Sequence, residues 1–558
     1  MVKRVFKLIN RETNGLHQAA YLLGFFTVLS QVLGLLRDRL LAASFGASQS
    51  LDIYYAGFRI PDFIFITFGS MVSVSVLIPF LVDKMKAGPE EGRRFIGNIF
   101  TFFFLLIVLV SAAAFFLVPF LVPKLFPGFT GADLEQVIKL TRVLLLSPIL
   151  LGLSNIFGTL TQTYRRFLLY ALSPILYNVG IIAGVLWLYP IFGLVGLAYG
   201  VILGAFLHFA IQIPFIISNG LSPKLSFKFN FREIRKVLFV SIPRTLTLGS
   251  DNISVMFLLS LASLMTVGSI TVFNLSYNLQ SVLLSVIGVS YSLAVFPILI
   301  KLFSDGETSQ FVEKIVISAR HIIFWSLPIA TLFIILRAQI VRTILGAGHF
   351  NWWDTRLTAA ALAVFVISVV CQNLTLLFVR AYYATGNTIK PFIAKFINAV
   401  STVLLGYVFM LLYQQHPYFR SFLENILRVE DVPGTIILTL PLGWSVGELL
   451  NTVALWLIFE RDFKNFSRPV LRTLLEVVTA SVAMGAVSFL SLNLVANVFD
   501  LDTTVGVFLQ GFLAGIAGII AGIVVFVLLK NPEIAAVWHT FKTRIFGAKV
   551  IPPNLSGL

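Results

Sequence analysis

One cysteine, Cys371, in 558 residues leaves nothing for an intramolecular disulfide framework or a cysteine-based metal cluster, so packing alone must hold the fold. Charge is almost as scarce. Asp, Glu, Lys and Arg together make up 12% of the chain against 58% hydrophobic residues, and mean hydropathy is +0.93. That balance excludes a soluble globular protein of this length. Nucleotide and hydrolase signatures are missing too. There is no G-x-x-x-x-G-K-[ST], no H-E-x-x-H and no G-x-S-x-G, and no polar stretch long enough to form a catalytic domain. His208 and His321 stand alone without ligand spacing, so no metal and no resident cofactor are expected. An enzyme that assembles glycans in the membrane would need a catalytic constellation beside a loop domain, and the chain offers none.

What is present is apolar sequence in runs of about 20 residues or more, the length that crosses about 30 Å of hydrocarbon. Fourteen runs fall near 19–45, 53–81, 95–122, 137–164, 168–188, 194–217, 237–264, 270–302, 316–336, 357–383, 391–413, 435–459, 474–495 and 505–529. Each reads as a helix, because open strands leave backbone groups unsatisfied in lipid and these runs are too uniformly apolar for barrel strands. The expected fold is therefore an all-α polytopic membrane protein of about 14 transmembrane helices. Lys3, Arg4, Lys7 and Arg11 precede the first run as in a signal peptide, but that run is too long, carries Arg37, Asp38 and Arg39, and lacks a small-residue cleavage site. It reads as a retained first helix.

The net charge of +16 sits in short loops, which makes it a topology signal and not a nucleic-acid footprint. With the N-terminus inside, the inner loops carry Lys84, Lys86, Arg93 and Arg94, then Arg165 and Arg166, then Lys224 to Lys236, Arg461 to Arg472, and Lys530 to Lys549. The outer loops hold far fewer. The expected topology is N-in and C-in.

An internal repeat is visible. Asn155 and Tyr164 recur 218 residues later as Asn373 and Tyr382, and S-Q-V-L-G-L-L-R-D at 30–38 aligns with P-R-T-L-T-L-G-S-D at 243–251, pairing Gln31 with Arg244 and Asp38 with Asp251. Two six-helix lobes in the same orientation follow: 19–219 and 220–460. Parallel repeats of this kind commonly enclose a central cavity. Residues 1–18 form a cytoplasmic segment, 461–530 two additional helices and 531–558 a cytoplasmic tail. Gly511-x-x-x-Gly515 and Gly518-x-x-x-Gly522 give the last run a helix-packing face.

A charge inside a span costs about 2.5–3.5 kcal/mol on insertion scales and so marks a functional candidate. The densest group is Arg37, Asp38, Arg39, Asp52, Arg59 and Asp62, with Gln31, Gly34 and Asp38 on one helix face. The eighth run adds Asn274, Asn278 and Gln280. In the second lobe Arg244 and Asp251 are seven apart, and Lys395 and Asn398 lie in the eleventh run. Asp251, Lys395 and Asn398 are expected to serve a monovalent cation or the membrane potential, through an Asp251–Lys395 pair or a bound ion.

With these residues in view, S-Q-V-L-G-L-L-R-D-R-L-L-A-A-S-F-G-A followed by D-I-Y-Y-A-G-F-R-I-P-D resembles the first two helices of the MurJ (MviN) lipid II flippases of the MOP exporter superfamily. A-L-S-P-I-L-Y-N-V-G-I-I at 171–182, G-L-A-Y-G-V-I-L-G-A at 196–205, S-I-P-R-T-L at 241–246 and A-Y-Y-A-T-G-N-T-I-K-P at 381–391 continue it along most of the chain. The resemblance implies alternating access that carries an undecaprenyl-pyrophosphate-linked peptidoglycan precursor from the inner to the outer leaflet of the bacterial cytoplasmic membrane. It implies membrane lipids and cell-wall synthesis proteins as partners, and a groove for the polyprenyl tail on the thirteenth and fourteenth helices. It places Arg37, Asp38, Asp52 and Arg59 in a cationic cavity, with Gln31, Arg244 and Asn278 as further lining. The chain departs from the family pattern at Gln31 and Asn278, where Arg is usual, at Phe65 and Ile66, near a usual Arg-Arg, and at Ser70, usually Glu. Export of another polyprenyl-linked glycan or an amphipathic solute therefore stays open beside lipid II.

Overall fold

The computed structural model describes residues 16–69, 74–223, 229–501, 503–535 and 537–538. All regular structure among them is helical. Eleven helical segments are long and apolar enough to cross a membrane, and Trp352–Ile367 with Val369–Ala384, bent by 40° at Ser368, makes a twelfth if the pair is one span. The two runs outside that count are the first and second. The first is a 30-residue helix, Leu16–Phe45, whose C-terminal third carries Arg37, Asp38 and Arg39. At 1.5 Å per residue it is long enough to span. The second is not the single helix expected at 53–81. It divides into Gln49–Gly57 and Arg59–Ile64, separated at Phe58, then a π-helical turn, Phe65–Gly69, and Val74–Ala87. Pro61 lacks the N–H that would continue the first of these helices, which accounts for the break just before it. Fourteen spans remain compatible with these segments.

By backbone proximity the chain forms two compact units. One comprises Met1–Leu279, Ile344–Ala361 and Thr388–Gly447, the other Gln280–Thr343, Leu362–Asn387 and Glu448–Leu558. The lobe boundary expected at residue 219 is not one of these divisions.

Within the first unit, small residues let helices close up where no apolar solvent effect can drive them together. A Cβ on Gly180 would lie 2.2 Å from Gly204, and one on Gly200 would lie 2.4 Å from Gly184, so the fifth and sixth spans touch backbone to backbone. Gly443 meets Gly406 in the same way between the twelfth and eleventh spans. Asn155 donates to the carbonyl of Gly69 at 3.2 Å and fixes the π-helical turn against the fourth span. His208 is held by Ser154 at 2.7 Å.

Within the second unit, the thirteenth span, Ser467–Val495, packs on both Thr308–Ile335 and Thr504–Leu528. Both glycine motifs of the last span are packing surfaces: Gly511 and Gly515 face Gln339 and Leu336, and Gly518 and Gly522 face Ser488 and Met484. Asn373, the repeat partner of Asn155, donates to Ser326 at 2.7 Å. Tyr382, the partner of Tyr164, donates to Asp462 at 2.8 Å.

Candidate functional site

In the first unit a pocket of about 190 Å³ opens where the first helix, the broken second run, the fifth span and the eighth span come together. The break after Gly57 matters here, because it starts a new short helix at Arg59 and brings Arg59 and Asp62 to the pocket wall. Arg37 and Tyr177 face them, and Asn274 and Asn278 complete the polar lining, with Tyr54, Tyr55 and Phe58 as aromatic walls.

The two guanidinium groups are held by different means. Arg37 is clamped to its neighbour: Nε donates to Asp38 at 2.9 Å, Nη2 lies 2.8 Å from the same carboxylate oxygen, and Nη1 donates to Asn178 at 3.1 Å. Asp38, whose side chain is 5% exposed, also accepts from Asn278 at 3.0 Å. Asp38 thus orients Arg37 from behind and is not itself a pocket wall. Arg59 donates through Nε to the Tyr55 carbonyl at 3.3 Å and through Nη2 to Asn274. No described residue accepts from its Nη1. Each guanidinium therefore keeps N–H donors for a ligand, in the planar fork that suits phosphate oxygens.

The other expected residues lie elsewhere. Asp52 is 4% exposed and accepts from Gly268 N and Thr271 N, both at 2.7 Å, and from Thr271 Oγ1 at 2.6 Å. It caps the N-terminus of the eighth span, Ser269–Leu283, and lies outside the pocket lining. Gln31 is half-buried on the first helix, away from that lining. The Arg244 side chain is outside the described residues. Asp251 accepts from Lys395 Nζ at 2.9 and 3.1 Å, with Asn398 buried one turn further along the eleventh span. Asp251, Lys395 and Asn398 lie outside the pocket lining as well.

Sequence reasoning missed Tyr54, Tyr55, Tyr177 and Asn178 as site residues. A polar pair such as Tyr177-Asn178 inside an otherwise apolar run was signal enough, because an amide in lipid needs a partner. Asn178 has one in Arg37.

Residues 41–507 match the family described as Lipid II flippase MurJ. A relative named probable lipid II flippase MurJ from Rickettsia prowazekii is 25% identical over 384 residues, covering 67% of this chain and 75% of its own length. Among solved structures, a lipid II flippase MurJ in an inward closed conformation superimposes with a TM-score of 0.73 at 22% identity, over 92% of this chain and all of the other. An inward-facing multidrug resistance MATE family transporter of the MOP superfamily gives 0.65 at 15% identity, over 78% and 96%. The folds agree, and the family match spans most of the sequence: this chain belongs to the MurJ lipid II flippase family.

Proposed function

We infer that this chain is a flippase, moving lipid II from the inner to the outer leaflet of the cytoplasmic membrane by alternating access. The observation that carries the reading is the pocket presenting Arg37 and Arg59 between apolar spans. Two guanidinium groups are costly in hydrocarbon, and a diphosphate repays that cost with charge-assisted hydrogen bonds. At about 190 Å³ the pocket is below the about 300–1,000 Å³ typical of ligand sites, so in this state it admits part of a head group and must widen for the whole.

On this reading the polyprenyl tail stays in lipid along the thirteenth and fourteenth helices, whose outer faces expose Leu475, Val482, Leu490, Phe512 and Ile519. Both termini are cytoplasmic, as the loop charges require. Cell-wall synthesis proteins on the far side are the recipients of the product. Energy enters at Asp251, Lys395 and Asn398, either by exchange of the Lys395 ammonium for a monovalent cation or by the membrane potential, worth about 2.3 kcal/mol per charge per 100 mV. No catalytic step is involved.

The neutral Gln31 and Asn278 favour one second reading, export of another polyprenyl-linked glycan. Depletion of the protein, followed by measuring which leaflet holds labelled lipid II, separates the two. Inner-leaflet accumulation of lipid II is the expected result; accumulation of a different lipid-linked glycan alone would establish the second.

A further inference from the structure

The diphosphate accounts for Arg37 and Arg59 but leaves Asp62 unexplained. Its carboxylate lines the same pocket, and no described residue donates a hydrogen bond to it. Arg59, three residues earlier on the same short helix, is its electrostatic neighbour, yet the hydrogen bonds of Arg59 go to Tyr55 and Asn274. A carboxylate in a membrane-embedded pocket is costly, and beside a diphosphate it also repels. Arg59 offsets part of that cost, and donors brought by the cargo would offset the rest.

The remaining walls indicate which donors. Tyr54, Tyr55, Phe58 and Tyr177 surround the pocket, Tyr54 and Phe58 packed edge to face with ring centres 4.9 Å apart. Aromatic faces beside a carboxylate suit a pyranose, whose C–H face packs on a ring while its hydroxyl and amide hydrogens point at an anionic acceptor. The sugar joined directly to the diphosphate is the part of the cargo within reach when the guanidinium groups hold the phosphates.

We propose that Asp62 is a specificity residue, accepting hydrogen bonds from hydroxyl or amide groups of the sugar bonded to the diphosphate. The pocket then reads a sugar diphosphate as one unit, cationic toward the phosphates and anionic toward the sugar. This rests on the flippase reading above. A site built around such a bond discriminates strongly against a ligand that lacks the donor.

The test compares two probes on the purified full-length protein: lipid II, and polyprenyl diphosphate without sugars, each measured in EDTA and in Mg²⁺. Asp62→Asn keeps the shape and removes the charge; Asp62→Ala removes both, with thermal melting confirming the fold. The expected result in EDTA is about 10-fold weaker binding of lipid II, from loss of a charge-assisted hydrogen bond. Polyprenyl diphosphate should bind unchanged or more tightly, because a repulsive charge has gone. Equal losses for both probes would overturn the proposal, as would a loss seen only in Mg²⁺, the sign of a cation bridging carboxylate and phosphate. Lipid II binding that ignores Asp62 overturns this proposal alone, whereas failure of the unsubstituted protein to bind lipid II removes the flippase reading and the proposal together.

Discussion

Two charged centres inside the first unit solve the same problem in opposite ways. At Arg37 and Arg59 cationic groups are tethered by single carboxylate, amide or carbonyl partners and still offer N–H groups to a pocket. At Asp251 and Lys395 the carboxylate takes both of its oxygens to one ammonium, and the Lys395 side chain is only 8% exposed. Asp38 and Asp251, which align in the sequence, are used differently: one supports an open cation, the other closes on a cation of its own. Neutralisation within the protein closes one centre in this state, and unfinished neutralisation leaves the other open to a ligand.

The largest effect that breaks this contrast is removal of an open guanidinium. Arg59→Ala should lower substrate affinity about 10- to 100-fold, the worth of one or two charge-assisted hydrogen bonds, while thermal stability changes little. Arg37→Ala should match it in transport and also loosen Asp38, which would keep only Asn278. Arg94, exposed in the first two turns of the helix Pro89–Leu125 and outside the pocket lining, is the control, and Arg94→Ala should transport normally. A cavity variant that flips lipid II at the unsubstituted rate would show that these cations do not grip the cargo.

Asp52 sharpens the distinction between gripping and supporting. Asp52→Ala leaves Gly268 N, Thr271 N and the Thr271 hydroxyl without their acceptor and should cost about 2–3 kcal/mol of stability. Flipping per folded molecule should be far less affected, because Asp52 is absent from the pocket wall. Melting in detergent beside transport normalised to folded protein reads both quantities. A transport defect without a melting shift would place Asp52 in the transport step after all.

These positions show how much of the site could be read in advance. Among the described residues the fourteen apolar runs lie on helical segments, because length and hydropathy are properties of each run by itself. Arg37 and Arg59 were legible for the same reason, since a charge in a span is conspicuous without any knowledge of neighbours. Asp52 was not. Its charge looks identical in sequence, and only the arrival of residues 268–271, more than two hundred positions later, turns it into a helix cap. The break after Gly57 was legible only in part: Pro61 marks it in the sequence, but hydropathy runs on through it and does not show that the interruption brings Arg59 and Asp62 to the pocket.

The closed centre should respond more weakly. Lys395→Gln leaves Asp251 without its ammonium, but the Asp251 side chain is 36% exposed, so solvent screens much of the loss. About 1 kcal/mol is expected, and Asp251→Asn combined with Lys395→Gln should recover part of it, because a neutral pair needs no counterion. A double variant less stable than Lys395→Gln alone would mean the pair is not closed on itself.

The smallest effect extends the contrast to the connection between the eleventh and twelfth spans. Glu424, 6% exposed, accepts from Tyr413 and Thr435 at 2.6 Å and from Arg420 at 3.1 Å. Burial pushes this carboxyl up, but the three hydrogen bonds outweigh it and hold it below the ordinary glutamate value of 4.5. A folded-state value below the unfolded one means the stabilisation is complete above the unfolded value and disappears as pH falls through the lower folded one. Protection across 416–438, taken as hydrogen-exchange rates corrected for the intrinsic pH dependence of amide exchange, should therefore be high at neutral pH and fall only below about pH 4.5. Glu424→Gln should exchange faster at neutral pH and lose that acid dependence. An unchanged acid response in Glu424→Gln would assign it to another group and leave Asp251–Lys395 as the better example of a carboxylate satisfied from within.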